Sequence, residues 1–434
     1  MNDHHHMRPT RSVPLAVGLL ALGVVLIVGG GHLGSLGQEG ATPTTNAVSH
    51  SDEGRPSLLD SISEYSRELQ TLRQADRSLR EHHIGYWIER FETEIERCDD
   101  PMIRQHALVA VMSLHNERED WELAEMVCTR AIDEAPDAAT RLERLGDLYA
   151  ILAADELDAT GSSMERSVRA GDRRGDLFGR MDAELRALVN RDGLASLGVS
   201  AWHLYRWAAE EEIRRARAAG DPERTSTLAN RFVRLITSRP VTARFNITDT
   251  SIRYLRADAI AGFLGKGDPE SAYDIATHAA STEETVAAMH MAYSRASDAR
   301  YADRAALLGM IDWARVPADD GLLLAERHAR SGLRHLASLE PDDMLVEGQG
   351  PIEDDDVIFA FMILEDVLSR AMDTTPDGGA GVTRRPSSSL RVGERRSLKM
   401  LIDFLRIDGQ TRAADQYARL LNERFSDASR LATP

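Results

Sequence analysis

Residues 121–149 read WELAEMVCTRAIDEAPDAATRLERLGDLY. Ala124, Cys128 and Ala131 recur there at intervals of four and three, which in an α-helix places three small side chains on one face. Pro136 then ends the unit, because proline has no amide hydrogen to continue the helical ladder. Leu142, Leu145 and Tyr149 follow at three and four, with Gly146 among them where helix propensity alone would favour alanine. Composition extends this helical reading to the whole chain. Aromatics are only 5% and Ala, Leu and Arg are abundant, whereas sandwiches and barrels draw on Val, Ile, Tyr, Phe and Thr. The expected fold class is all-α. With 434 residues there is room for two or three domains or one elongated repeat array. A hydrophobic share of 42% beside a charged share of 28% excludes both wholesale disorder and a polytopic membrane protein.

The spacing resembles that of the tetratricopeptide-repeat family. Ala124, Cys128, Ala131 and Pro136 match the second helix of its unit, and Leu142-x-x-Leu145-Gly146-x-x-Tyr149 looks like the first-helix signature of the next, with Leu142 in the place of the usual Trp. Leu108 stands 34 residues before Leu142, which is the family's period. The chain departs from the pattern at Met112 and His115, and after Tyr149 no second-helix alanine spacing appears. Weaker echoes follow. Gly220-Asp221-Pro222-Glu223 recurs as Gly267-Asp268-Pro269-Glu270, and each reads as a hinge between helices. Gly permits a left-handed exit, Asp caps the next helix, Pro fits its first turn and Glu favours its N-terminal dipole. Phe263 precedes the second hinge, Ala272, Ala276 and Ala279 follow it, and Ala413, Tyr417 and Leu420 look like one more second helix. The hinges lie 47 residues apart rather than 34, so a generic α-solenoid of irregular helix pairs fits as well as a uniform array.

The resemblance implies an interaction scaffold that binds a protein or peptide on a concave surface lined by first helices, around Gln105 to Glu119 and Arg141 to Ala150. Arg141, Arg144 and Asp147 are the candidate partner-binding residues, against a reading as plain solvated helix surface. It also implies that Gly146 lies at a close helix crossing. A leucine there would overpack at a cost of ~1 to 3 kcal/mol, while alanine would be nearly neutral or mildly stabilising.

Residues 1–11 read as a cytoplasmic tail and 12–31 as a transmembrane anchor. The stretch from Val13 to Gly31 is apolar throughout, long enough to span ~30 Å of hydrocarbon, and Arg8 and Arg11 precede it while Glu39 is the first charge after it. The bulk of the chain is then periplasmic or extracellular, and a cleaved signal peptide releasing a secreted chain is the alternative. Residues 32–56 form a Gly, Ser, Thr and Pro-rich tether, 57–372 the helical solenoid, 373–396 a disordered loop, and 397–434 a C-terminal helical pair. Leu58, Ile62, Tyr65, Leu69, Leu72 and Leu79 trace a heptad stripe, broken at Asp76, which allows a homodimer through residues 58–79 or an ordinary amphipathic helix. Trp87, Phe91 and Ile95 continue as core positions of a second helix.

A net charge of -18, from 70 acidic against 52 basic side chains, argues against nucleic acid as a partner. Cys98 and Cys128 are too few for a disulfide framework and lack C-x-x-C spacing. The carboxylates Glu353 to Asp356 read as a helix start rather than a calcium loop, since the alternating ligands and central Gly are missing. Arg384, Arg385, Arg391, Arg395 and Arg396 sit in the expected loop and offer docking to an acidic or phosphate-bearing surface, or simple solvation. No phosphate-binding loop surrounds Lys266 or Lys399, Gly198 to Trp202 lacks the second glycine of a nucleophile elbow, and Glu81-His82-His83 spreads its side chains around a helix. No catalytic, cofactor or metal residue is therefore expected. The leading expectation is a membrane-anchored extracytoplasmic scaffold; the rivals are an all-α enzyme acting on cell-wall material and a self-associating structural protein.

Overall fold

The computed structural model describes residues 58–72, 77–159, 164–192, 197–238, 241, 244–245, 247–296, 299–339, 351–373 and 388–425. No strand occurs among the described residues, so the all-α expectation holds. The expected tail, anchor and tether, and Arg384 and Arg385, lie outside them. Among the described residues no helix is long and apolar enough to cross a membrane. The chain divides into two compact units, one through Glu212 and one from Ile213. The boundary falls within the expected stretch 57–372, and the second unit includes the C-terminal pair.

The first unit contains α1 (Leu58–Leu72), α2 (Arg77–Ile95), α3 (Pro101–Glu117), α4 (Trp121–Asp133), α5 (Ala138–Ala159) and α6 (Met164–Asp192). The division falls within α7 (Val199–Ala218). The second unit continues through α8 (Pro222–Ile236), α9 (Asp249–Gly265), α10 (Pro269–Thr277), α11 (Thr282–Arg295), α12 (Tyr301–Gly309), α13 (Ala318–Leu339), α14 (Asp355–Asp373), α15 (Ser388–Ile407) and α16 (Thr411–Phe425). Because α15 starts at Ser388, the loop expected over 373–396 is helical in its last part, with Arg391, Arg395 and Arg396 on a helix.

Four turns between consecutive helices have one backbone geometry. A residue at positive φ, Glu119 (61°), Gly220 (67°), Gly267 (75°) or Gly409 (79°), follows the first helix. Its amide donates to the carbonyl three residues back, respectively Asn116, Arg217, Leu264 and Arg406. The next amide, of Asp120, Asp221, Asp268 or Gln410, donates to the carbonyl five residues back, respectively His115, Ala216, Phe263 and Leu405. These two bonds satisfy carbonyls that a helix end otherwise leaves open. The two Gly-Asp-Pro-Glu hinges behave as the sequence implies: Asp221 accepts from the Arg224 amide and Asp268 from the Ser271 amide, with Pro222 and Pro269 opening the next helices.

Measured from the positive-φ residue, the fifth position is Ala124, Thr225, Ala272 or Ala414, none more than 3% exposed. The ninth is Cys128, Ala229 or Ala276, all fully covered in the first three turns. Small side chains at these places shorten the distance at which the following helix packs. Two details differ from the sequence reading. Ala279 falls beyond the end of α10 and takes a positive φ of 51°, so it does not extend the Ala272 and Ala276 face. In α16 the buried position is Ala414, one residue after the expected Ala413.

In the first unit, Leu58, Ile62 and Tyr65 of α1 are buried by the chain itself, with Tyr65 5.6 Å from Trp87 and 5.5 Å from Phe91 between ring centroids. The described part of the heptad stripe is covered within the unit, and the side chains of Leu69, Leu72 and Leu79 lie outside the description. Helices α3 and α4 run antiparallel, since the Gln105 amide group donates to the Ala131 carbonyl at 2.8 Å and Arg104 pairs with Glu134 at 2.7 Å. Gly146 on α5 faces Leu204 on α7 so closely that a Cβ at 146 would stand 2.5 Å from the Leu204 Cβ. The close crossing is real, but it is tighter than expected: alanine does not fit without movement.

Candidate functional site

The residues singled out for repeat packing do lie in the interior of the first unit. Leu108, Ala124, Cys128, Ala131, Leu142, Leu145 and Tyr149 are each at most 2% exposed, and Gly146 is buried among them. Pro136 is exposed in the turn between α4 and α5. The expected partner-binding trio does not form a face. Arg141 is on the surface, paired with Glu184 at 3.1 Å, whereas Arg144 and Asp147 are only 8% and 2% exposed. Their charges meet at 2.5 Å inside the unit, and the Cys128 thiol donates to the Arg144 carbonyl at 3.3 Å. Burial drives the Asp147 carboxyl up to about 7 against the opposing pull of Arg144, and burial likewise raises the Cys128 thiol. A second buried network lies nearby: the Tyr149 hydroxyl donates to Glu212 at 2.8 Å and accepts from Arg174 at 3.0 Å. Both networks are internal. They tie neighbouring helices together.

The second unit contains a cleft of about 720 Å³, which the sequence reading missed. Helix α13 supplies Glu326, Arg327, Arg330, Arg334 and His335; α11 supplies His290 and Tyr293; α12 supplies Tyr301 and Arg304; α15 supplies Arg396. Positions 327, 330 and 334 share one helix face by their spacing of three and four. Five arginines thus meet one carboxylate in a protein whose net charge is -18. Glu326, 3% exposed, is shared: Arg330 reaches it at 2.5 Å, and Arg396 grips it with two nitrogens at 2.6 and 3.0 Å.

The remaining three cations have no carboxylate partner among the described residues. Arg327 donates only to the His290 carbonyl at 3.4 Å, and burial with the neighbouring Arg330 and Arg334 holds its guanidinium below the usual value. Arg304 lies over the rings of Tyr293 (5.6 Å) and Tyr301 (5.8 Å), with its Nε buried and unbonded. Arg334 stands exposed on α13, one turn beyond Arg330. Behind them is a stack of rings. Tyr301 is inserted between His328 and His335, at centroid distances of 5.2 and 5.0 Å and interplanar angles of 21° and 22°. His335 pairs with Asp354 at 3.2 Å, and the same Asp354 caps α14 by accepting from the Val357 amide, as expected of a helix start. His328 is fully covered, its Nδ1 2.8 Å from the Tyr293 hydroxyl, and burial with the nearby Arg304 lowers its pKa to about 3, so the ring is neutral.

A concave site with several guanidinium groups and few counter-charges attracts anions, and each group presents planar donors suited to carboxylate or phosphate oxygens. Of the arginines the sequence grouped together, Arg396 alone among the described ones reaches this site; Arg391 is exposed elsewhere on α15. Compared with protein-family models, curated proteins and solved structures, the chain matches none.

Proposed function

We propose that this protein is a membrane-anchored, extracytoplasmic helical-repeat scaffold, similar to tetratricopeptide-repeat proteins, that binds a partner carrying anionic groups. The supporting observation is the cleft on α13, where Arg304, Arg327 and Arg334 lack carboxylate partners among the described residues. Recurrent hinge geometry with one small-residue register at four turns supports the repeat reading, because the same device joins four pairs of consecutive helices. The apolar run from Val13 to Gly31 supports the anchor. The function is recognition rather than turnover, and the binding face belongs to the second unit instead of Arg141, Arg144 and Asp147.

Two measurements test this reading. A phosphatase reporter joined after Pro56 is active only outside the cytoplasm and pellets with membranes; full cytoplasmic retention reverses the localisation. Affinity capture from native membranes with the full chain enriches a defined partner, and Arg327→Gln with Arg334→Gln loses it while the melting temperature stays within a few degrees. Unchanged capture by that double variant removes the cleft as the binding face.

A further inference from the structure

We infer that the α13 cleft is a binding site for a ligand carrying two adjacent phosphoryl groups. This rests on the reading of the cleft as an anion site and specifies its chemistry. Arg327 and Arg334 are seven residues apart on one helix, about 10 Å along its axis, and Arg304 approaches from α12. Three cations without a paired carboxylate among the described residues are therefore held around a volume of about 720 Å³, within the ordinary range for a small-molecule site. A single carboxylate offers one negative charge to this set. A terminal phosphoryl group offers about -1.5 to -2 and three acceptor oxygens, and a second one joined to it through a bridging oxygen adds further negative charge, so two neighbouring phosphoryl groups match three guanidiniums better than one carboxylate does. Glu326 contributes to the selection, because its buried carboxylate orients Arg330 and Arg396 at the wall and keeps both from swinging outward. The rings of Tyr293 and Tyr301 beneath Arg304 favour that guanidinium at the wall.

The same chemistry has two sources, a free diphosphate compound or a diphosphate headgroup presented by a lipid. The full chain, purified in uncharged detergent, is titrated calorimetrically with inorganic pyrophosphate, citrate and a glutamate-rich peptide, and is separately floated with phosphatidylcholine vesicles with or without a lipid diphosphate. Pyrophosphate binding at least tenfold tighter than citrate or peptide, weakened tenfold or more by Arg327→Gln and by Arg334→Gln but not by Arg391→Gln, supports the site with a free ligand. Flotation that needs the lipid diphosphate and is lost in the same two variants supports it with a lipid source. Citrate or the peptide binding as tightly as pyrophosphate overturns the phosphoryl assignment and leaves the anion site standing. Absence of every one of these interactions, together with partner capture indifferent to Arg327 and Arg334, overturns both.

Discussion

Gly146 on α5 and Leu204 on α7 approach so closely that no Cβ fits between them: one built at 146 would lie 2.5 Å from the Leu204 Cβ. Gly146→Ala is therefore expected to destabilise by about 1 to 3 kcal/mol, despite the gain in helix propensity. Leu204→Ala should not relieve the clash, because the offending atom is Cβ itself, whereas Leu204→Gly should. Urea melts of the two double variants check this, and a neutral Gly146→Ala refutes it.

The turn after α3 places Glu119 at a φ of 61°, where the equivalent residues are Gly220, Gly267 and Gly409. An L-residue in the left-handed region carries strain that glycine lacks, so Glu119→Gly should stabilise by about 1 kcal/mol and Gly220→Ala should cost a similar amount. A Cβ at 220 meets nothing within 4 Å, so that cost is conformational alone. Chemical denaturation of both variants gives the sign directly.

Charge reversal at Arg141 and Arg144 should have opposite consequences. Arg141 is exposed and its pair with Glu184 is worth at most about 1 kcal/mol. Arg144 is buried against Asp147, and Arg144→Glu replaces that attraction with a second acid in the interior, a loss of about 3 to 5 kcal/mol. Arg141→Glu should therefore melt close to wild type and Arg144→Glu far below it; similar melting temperatures would contradict the buried pair.

His328 makes stability depend on pH with a definite sign. Its folded pKa of about 3 lies below the ordinary 6.5, so the unfolded chain binds the proton first. The contribution is present above about pH 6.5 and is lost as pH falls toward 3, reaching a loss of about 2 kcal/mol by pH 5. His328→Gln should lack this component. The stability difference between wild type and variant, measured at pH 7.5 and pH 5, should shrink toward acid, and a constant difference would mean that the ring is not buried neutral.

The features legible in the sequence are those governed by neighbours along the chain. Small residues at 124, 128, 272 and 276 and the two Gly-Asp-Pro-Glu hinges have the roles their spacing implies, because helix capping and face periodicity are local. Asp147 and Arg144 were misplaced for the converse reason: charged side chains within a helix read as surface until tertiary packing covers them. A clue was present, since Leu142, Leu145, Leu148 and Tyr149 surround an opposite-charge pair at i and i+3. The cleft was not legible as a whole. Its cations come from three helices, and the stretch that carries Arg396 reads as a loop because Gly, Pro and Ser crowd the residues just before it. Only the stripe at 327, 330 and 334 is visible in the sequence, and alone it resembles a solvated helix face.

The four matched turns are closed by backbone groups, and side-chain identity enters mainly through the positive-φ residue and one small position five residues later. These turns are specified in dihedral angles more than in letters. Substitution elsewhere in these turns leaves the two closing backbone bonds available, so an equivalent turn is recognised by its torsions even where its residue differs, as Glu119 beside the three glycines illustrates.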